Sequence, residues 1–439
     1  ASNNTGLGHN ALFANTTGTR NTAVGMSAGV AITTGSYNVL MGAYTGDAIT
    51  TGEQNVAVGD AALSANITGT DNVSIGDQSL KVNTASNNTA VGSSALGANT
   101  TGTQNVAVGS LAGDAITTAS YNTAVGYAAL SSDTLGARNT AIGQEALASQ
   151  NFTSATDSYN TAVGMNAGRL VTTGTHNTFI GGLSGDATTT GYYNVAVGAS
   201  ALSANTTAIS NTAVGYQAGA AVTTGANNTL IGGLAGDAIT TGRWNNALGV
   251  NALTANTDGE ENVAVGFNAL AAADGGDANV AMGNAAGYGI TSGGNNIVIG
   301  KDAGRTGSPG GNITTGSNEI AIGNENIASA VIQVDWTVAS DARDKTDFTA
   351  LDLGLDFVKA LAPVTYKWDK RSKYGDKTAE DYDLNAQTPD GTHKEDWLDI
   401  GFKAQEVEAL EIAAGYDKSS KTNLVSSHTD DGKQMGLQY

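Results

Sequence analysis

The chain has 439 residues, of which 59 are glycine and 3 are proline, and it contains no cysteine. Glycine without a Gly-X-Y period excludes collagen, and so little proline argues against a disordered linker. The lack of cysteine excludes disulfides and thiolate chemistry, and no apolar run is long enough for a transmembrane helix. Because the formal net charge is −20, we expect neither nucleic acid nor a membrane surface as a partner.

The distribution of charge divides the chain into two regions. Residues 1–339 hold 7 Lys or Arg and 20 Asp or Glu, whereas residues 340–439 hold 13 and 20. All but seven of the glycines lie in the first region. We therefore predict a repetitive domain over 1–325, a connector over 326–339 and a second domain over 340–439.

The first region is a tandem array of the motif Asn-(Thr/Val)-Ala-(aliphatic)-Gly, which recurs in most steps every 17 residues. Positions are counted from the asparagine, which is position 0. Position 4 is glycine in 18 of 19 copies, and in the last copy it shifts by one residue to Gly323. The asparagines lie at 4, 21, 38, 55, 72, 88, 105, 122, 139, 160, 177, 194, 211, 228, 245, 262, 279, 296 and 318.

The pattern within each unit predicts a mostly β fold. Positions 1 and 3 face the same side of an extended chain, and the β-branched residues found there favour a strand. Glycines at positions 4 and 14 supply the backbone freedom that corners need. A 17-residue unit with one strand and two corners predicts a parallel β-solenoid or β-roll of about 19 coils.

Positions 2 and 8 exchange large and small residues. Leu40 is followed by Gly46, whereas Ala57 is followed by Leu63. We therefore expect both positions to share the interior and to fill it together, as close packing requires. The copy that starts at Asn105 departs from this rule, because its residues at positions 2 and 8 are both small.

So few bulky residues can hardly fill a core within one chain, so we expect several chains to associate around one axis. The units resemble the head repeats of trimeric autotransporter adhesins, although those repeats are shorter, and equally the shaft repeats of phage tail fibres. This resemblance implies a homotrimeric shaft. The array already begins at Ala1 without an initiator methionine, so we expect the numbered chain to be a fragment of a longer protein.

Beyond residue 340 the pattern predicts a small α/β domain. Residues 353–361 place apolar side chains at helical spacing, and Pro363 ends that helix. Residues 364–368 and 400–402 are typical of short strands, and residues 404–410 are typical of a second helix.

Three segments of this region, residues 340–345 (Ser-Asp-Ala-Arg-Asp-Lys), 355–368 and 400–407, resemble the intramolecular chaperone of endosialidase-type phage tailspikes. In that family a trimeric chaperone domain helps the shaft to assemble and then cleaves itself off at the serine. The resemblance implies cleavage of the Ala339–Ser340 bond. Family members usually continue beyond the motif at 436–439 into a long helix, which we expect this chain to lack.

The chemistry of such a cut is available at the start of the domain. A serine hydroxyl is a poor nucleophile until a base takes its proton, and a lysine can be that base if burial lowers its pKa. Ser340 and Lys345 are close enough in sequence to meet across one turn, so we predict a Ser–Lys dyad that performs at most a single self-cleavage. Asp341 and Arg343 would support it. For Arg343, pairing with Asp341, pairing with Asp347 and a role in shaping the site all stay open.

The leading hypothesis is a structural host-attachment protein of the phage virion tail. Its expected partners are a host cell-surface receptor, in particular a glycan, and other tail proteins bound through a preceding N-terminal part. The alternatives are the head of a bacterial trimeric autotransporter-type adhesin and a capsule depolymerase, although no pair of carboxylates stands apart from the repeat.

We expect no cofactor and no metal. The histidines are not at metal-ligand spacing, and the acidic residues that share position 9 are more simply solvated than bound to a cation. Four aromatic residues are expected to be exposed and could contact sugar. The histidines are His9, His176, His393 and His428, the acids are Asp47, Asp114, Asp186 and Asp237, and the aromatics are Phe152, Tyr192, Tyr193 and Trp244.

Overall fold

The computed structural model describes residues 2–308, 310–327, 354–375, 383, 386–396, 398–415, 426–428 and 435–437. The chain divides into two compact units, Ala1–Asn279 and Val280–Tyr439.

The first unit is a parallel β-solenoid. It contains sixteen strands of three residues, and each pairs in parallel with the next of these along the chain. Two further strands of two residues, β9 and β11, pair with each other. The strands are β1 (Thr5–Leu7), β2 (Thr22–Val24), β3 (Val39–Met41), β4 (Val56–Val58), β5 (Val73–Ile75), β6 (Thr89–Val91), β7 (Val106–Val108), β8 (Thr123–Val125), β9 (Gly136–Ala137), β10 (Thr140–Ile142), β11 (Thr156–Asp157), β12 (Thr161–Val163), β13 (Thr178–Ile180), β14 (Val195–Val197), β15 (Thr212–Val214), β16 (Thr229–Ile231), β17 (Asn246–Leu248) and β18 (Val263–Val265).

The second unit begins with three more strands of the same kind and continues into a small α/β region. Strands β19 to β21 pair in parallel, whereas β22 pairs with β23 and β24 with β25 in antiparallel fashion. A short 3-10 helix spans Arg371–Lys373. The elements are β19 (Val280–Met282), β20 (Ile297–Ile299), β21 (Ile320–Ile322), α1 (Gly354–Ala360), β22 (Val364–Tyr366), β23 (Asp399–Gly401), α2 (Ala404–Ala413), β24 (Ser426–His428) and β25 (Met435–Leu437).

These elements confirm the predicted mostly β fold with a parallel solenoid. They also confirm the helix predicted before Pro363 and the helix that begins at Ala404. Within the part of the chain that the structure describes, no helix has the length and apolar character that a membrane crossing requires.

A continuous column of buried asparagines, which we call the asparagine ladder, joins successive coils. The backbone N–H of Asn38 donates to Oδ1 of Asn21 at 3.0 Å, and Nδ2 of Asn21 donates to the carbonyl of Gly35, at position 14 of its own coil, at 2.8 Å. The same two bonds recur, for example at Asn211 and Asn228. Because each side chain satisfies a backbone donor and a backbone acceptor in the interior, asparagine at position 0 is required by hydrogen bonding rather than by backbone geometry.

Glycine at position 4 is required by both conformation and space. Gly181 has φ +133°, a region that residues with a Cβ rarely adopt. A Cβ built there would lie 2.5 Å from the carbonyl oxygen of Gly198 in the next coil. The predicted corner at position 4 is therefore confirmed.

The predicted use of glycine's backbone freedom at position 14 is wrong. Gly191 at this position does not have a positive φ, and a Cβ there would meet the carbonyl of Ala208 at 2.5 Å, so close approach of the next coil favours glycine. The left-handed corners lie instead at positions −1, 6 and 8, as at Tyr193, Ser200 and Leu202 with φ of 58°, 56° and 49°.

The predicted exchange of volume between positions 2 and 8 is confirmed, and it operates between neighbouring coils. Leu40 is fully buried between two glycines of position 8: a Cβ at Gly29 would lie 2.8 Å from Leu40 Cδ1, and one at Gly46 would lie 2.9 Å from Leu40 Cδ2. One large residue therefore fills the space of two glycines. In the departing copy, Ile116 at position 11 fills the space beside Gly113.

Insertions leave the solenoid register intact. Between β10 and β12 the chain contains four additional residues, yet Thr140 still pairs with Thr161 and the N–H of Asn160 donates to Oδ1 of Asn139. In the last coil, Ile297 pairs with Ile320 and the N–H of Glu319 donates to Oδ1 of Asn296 at 2.9 Å. Position 0 of that coil is therefore Glu319 rather than the predicted Asn318.

Two adjacent glycines test the structural requirement at position 4. We expect Gly181→Ala to lower the free energy of unfolding by about 2 kcal/mol or more, because the new Cβ adds a disfavoured φ to a clash with the next coil. The matched control is Gly182→Ala, where the nearest atom to a Cβ is the carbonyl oxygen of Met165 at 4.0 Å. Urea unfolding followed by circular dichroism measures both. Equal losses in the two variants would contradict the assignment.

Candidate functional site

Two antiparallel strands that are distant in sequence, β22 and β23, pair in the α/β region. Val364 pairs with Gly401, and Tyr366 pairs with Asp399. Gly401 lies against the Tyr366 ring, since a Cβ there would be 3.3 Å from Cε1. Residues that adjoin these strands, the end of α1 and one face of α2 form a shallow apolar groove. It is lined in part by Leu361, Phe402, Val407 and Leu410.

The chain that leaves β22 presents an aromatic and cationic surface. The rings of Tyr366 and Trp368 meet edge to face with centroids 5.2 Å apart. Lys370 Nζ lies 5.7 Å from the Trp368 ring centroid, within the range of a cation–π interaction. The carbonyl of Trp368 accepts a hydrogen bond from the N–H of Glu395 at 2.8 Å, which brings the segment 391–396 beside this strand.

A polar cluster fixes the same segment. The hydroxyl of Tyr374 donates to Oδ1 of Asp369 at 2.7 Å, and the N–H of Gly391 donates to Oδ2 of Asp369 at 2.8 Å. The Tyr374 and His393 rings meet edge to face with centroids 4.9 Å apart. Both oxygens of Asp369 therefore accept hydrogen bonds that tie together segments of the chain more than twenty residues apart.

The acid at the edge of this cluster is held in its charged form. Hydrogen bonds from the hydroxyl of Thr392, at 2.6 Å, and from its backbone N–H, at 2.9 Å, lower the pKa of Asp390. The cluster orders a loop and holds acceptors and a tyrosine hydroxyl in place. It contains no serine, cysteine or lysine that could act as a nucleophile. Sequence alone does not predict this cluster, because Asp369, Tyr374 and His393 follow no recognisable spacing.

Comparison with known families identifies the region in which this cluster lies. Residues 340–416 match the family model described as chaperone of endosialidase. The match covers 77 of the 439 residues, so it characterises this region and not the solenoid. It confirms the resemblance that three segments of the sequence indicated. No curated protein and no solved structure matches the chain at a significant level.

The residues predicted to perform self-cleavage lie outside the described residues. This applies to Ser340 and Lys345, to the supporting Asp341 and Arg343, and to Ala339 on the other side of the bond. The Ser–Lys dyad therefore stays a prediction, with the family match as its support.

Three of the four aromatic residues that we expected at the surface are exposed. Tyr192, Tyr193 and Trp244 are exposed as predicted, whereas Phe152 is buried because it packs beside Gly136.

Among the residues that the structure describes, no group of three or more histidine, aspartate or glutamate side chains could hold a metal ion. Burial raises the pKa of three of the acids at position 9, Asp47, Asp114 and Asp186.

One carboxyl group of the solenoid is fully buried. Asp133 accepts a hydrogen bond from Gln150 Nε2 at 2.6 Å and another from the N–H of Gly136 at 2.9 Å. Gln150 Oε1 in turn accepts from Asn160 Nδ2 at 2.8 Å. Burial raises the pKa of Asp133, although these hydrogen bonds oppose the shift. These hydrogen-bond partners all belong to successive coils of the solenoid. The network therefore anchors the inserted loop.

The raised pKa of Asp133 makes the stability of the fold depend on pH. A carboxyl group whose pKa is raised by folding stabilises the fold when it is protonated, and that contribution is lost as pH rises through the folded pKa. We expect the free energy of unfolding of Asp133→Asn, relative to wild type, to increase as pH rises from about 3 to about 7, by about 1.4 kcal/mol per pKa unit of elevation. Urea unfolding over this pH range measures the difference.

The matched control is Asn66, which occupies the same position 11 and is also buried. Asn66→Asp introduces a carboxyl there and is expected to lose stability relative to wild type as pH rises. A difference between Asp133→Asn and wild type that stays constant with pH would show that the Asp133 pKa is not raised.

Proposed function

We propose that the protein is a structural attachment protein of a phage tail, the distal part of a tail fibre or tailspike. The solenoid serves as its shaft, and the region that matches the chaperone of endosialidase directs assembly. The observation that carries the proposal is this pairing in one chain: a parallel β-solenoid followed by the match at residues 340–416. The proposed location is the virion tail, where the protein binds other tail proteins and the shaft contacts a host surface glycan.

We further propose that the shaft is a homotrimer, in which the outer face of the strands is the contact surface. Position 2 of every strand points inward, so positions 1 and 3 point outward. Position 3 forms a column of aliphatic or methionine side chains, which we call the apolar stripe, and several of its members are 38–48% exposed. These members are Met41, Ile75, Val108, Ile142, Ile180 and Leu248.

A continuous apolar stripe of this length is unusual on a monomer. The coil interior does not compensate for it, because the interior is built largely of alanine with only one or two larger apolar side chains in most coils. Burial of the stripe between chains would stabilise the assembly by about 25 cal/mol for each Å² of apolar surface that is removed from water. An assembly domain at one end of the chain would bring the stripes of three chains together in register.

Two alternative functions would use the same solenoid but require different additional features. The head of a trimeric autotransporter-type adhesin would share the coil and the apolar stripe, but the match at residues 340–416 favours the tail protein. A capsule depolymerase would need a pair of carboxylates in a cleft. The buried Asp133 does not provide one, because both its oxygens are bound within the coil wall.

A pair of charged substitutions tests the contact surface. We expect Ile142→Lys with Ile180→Lys to convert the trimer to monomers, because six ammonium groups would be buried at the trimer axis. Sedimentation velocity of the full chain measures the assembly state. The control is Thr173→Lys, at an exposed site away from the strands. A wild-type monomer would contradict the homotrimer, and a trimer that survives both stripe substitutions would contradict this contact surface.

The proposed self-cleavage has its own test. We expect the protein expressed from the complete gene to be cut between Ala339 and Ser340, as shown by the mass of the shaft fragment. Ser340→Ala removes the nucleophile and Lys345→Arg removes the base, since a guanidinium stays protonated, so both should leave the chain intact. Lys359→Arg, on the exposed face of α1, is the control and should be cut. An intact wild-type trimer would contradict the dyad.

A further inference from the structure

A row of large side chains runs along one edge of the solenoid at position −1. Five consecutive coils contribute Tyr121, Arg138, Tyr159, His176 and Tyr193, which we call the aromatic row. The Arg138 guanidinium carbon lies 4.7 Å from the Tyr121 ring centroid and 5.8 Å from that of Tyr159. The His176 ring centroid lies 5.3 Å from that of Tyr159 and 5.1 Å from that of Tyr193.

The backbone holds these side chains at a constant spacing. The N–H of Arg138 donates to the carbonyl of Ser120, at position −2 of the preceding coil, and the N–H of Tyr193 donates to that of Thr175, both at 3.2 Å. The spacing along the row is therefore that of neighbouring parallel strands, about 4.8 Å. Since the inserted residues between β10 and β12 leave the register unchanged, Tyr159 continues the row.

Folding does not account for aromatic residues at this position. All five residues have a left-handed φ between 50° and 66°, a conformation that is disfavoured for bulky side chains. Some of the other coils place asparagine there, as at Asn87, Asn227 and Asn295, and asparagine adopts this conformation more easily. The rings are also not part of the core, since Tyr121, Tyr159 and Tyr193 are 51%, 48% and 56% exposed.

Contacts within the row explain only part of the arrangement. Aromatic pairs of this kind contribute about 0.5–1.5 kcal/mol, which can offset the backbone strain. However, the interplanar angles are 39° and 49°, so the rings are tilted and part of each face is uncovered. At one end, Tyr192 meets Tyr193 edge to face at 5.2 Å and is itself 40% exposed. The row therefore ends at a corner with two differently oriented rings.

The chemistry of this surface matches a polysaccharide. Uncovered ring faces pack against the apolar C–H faces of sugar rings, while tyrosine hydroxyls and the imidazole supply hydrogen bonds to sugar hydroxyls. A spacing set by parallel strands is close to the length of one pyranose ring in an extended chain. A linear glycan that lies along the solenoid would therefore meet one side chain of the row with each sugar.

Charge indicates a neutral glycan. The guanidinium of Arg138 already pairs with Asp157, with Nε and Oδ1 3.1 Å apart. The surrounding region, residues 1–339, has 20 acidic and only 7 basic residues, which opposes the approach of a polyanion.

We propose that the aromatic row, together with Tyr192, is a binding site for a neutral, linear polysaccharide laid along the axis of the solenoid. This proposal rests on the proposed function, because it specifies where and by what chemistry the shaft contacts a glycan.

The test uses the full chain and an array of linear hexasaccharides, with neutral glucans, galactans and mannans in one arm and uronic acid or sialic acid polymers in the other. We expect binding in the neutral arm, with little dependence on salt. Tyr159→Ala and Tyr193→Ala should each weaken the affinity about tenfold, equivalent to about 1.4 kcal/mol, whereas Tyr159→Phe should retain most of it. Circular dichroism and sedimentation confirm that each variant is folded and assembled.

The matched control is Tyr37→Ala, which removes an exposed tyrosine at the same position −1 outside the aromatic row, and it should bind as wild type does. The proposal is overturned if no neutral glycan binds, if binding occurs only in the acidic arm, or if the row variants bind as tightly as the control. A folded trimer that is cut at Ser340 but binds no neutral glycan would reject this site and leave the proposed tail protein intact.

Discussion

The asparagine ladder is the interaction on which the solenoid depends. In most coils one buried amide side chain donates to the carbonyl at position 14 of its own coil and accepts the backbone N–H of the next coil. Removal of one amide would leave a buried donor and a buried acceptor unsatisfied, at a cost of about 1–3 kcal/mol for each group. The ladder also favours one register, because the side-chain oxygen of each asparagine accepts the backbone N–H of position 0 in the next coil.

The end of the repeat follows from the same chemistry. In the last coil the residue at position 0 is Glu319, whose N–H still donates to Asn296. A carboxylate has no N–H to donate to a carbonyl, so it cannot make the second bond of the ladder. The neighbouring asparagine, Asn318, takes the left-handed position −1 instead. Among the residues that the structure describes, the asparagine ladder therefore ends at Asn296.

Much of the fold could be predicted, because its causes recur with the period. Glycine at position 4 indicated a corner, the β-branched residues indicated a strand, and the inverse sizes at positions 2 and 8 indicated a shared interior. The hydrogen bonds of the repeated asparagine were found only in the structure. The left-handed corners were missed because leucine at position 8, as at Leu63 with φ 56°, contradicts its own backbone preference. Only the fit of its side chain into the coil interior favours that conformation.

Individual sites were harder to predict than the repeat. The burial of Phe152 depends on where the inserted loop folds back, which no local pattern shows. The cluster of Asp369, Tyr374 and His393 brings together residues that are distant in sequence. Ser340 and Lys345 were recognised from a motif, and motif recognition defines their chemistry but not their distance or burial.

The inserted loop near Phe152 shows how the solenoid can accept additional residues. Four added residues leave Thr140 paired with Thr161, and the side-chain oxygen of Asn139 still accepts a hydrogen bond from the next coil. Beside the loop, the buried side chain of Gln150 donates a hydrogen bond to Asp133. The coil can therefore accept an inserted loop at its surface without a change in the register of its strands. A foreign peptide grafted at this point would be displayed at a known coil of the solenoid, so the solenoid is a suitable scaffold for engineered surface loops.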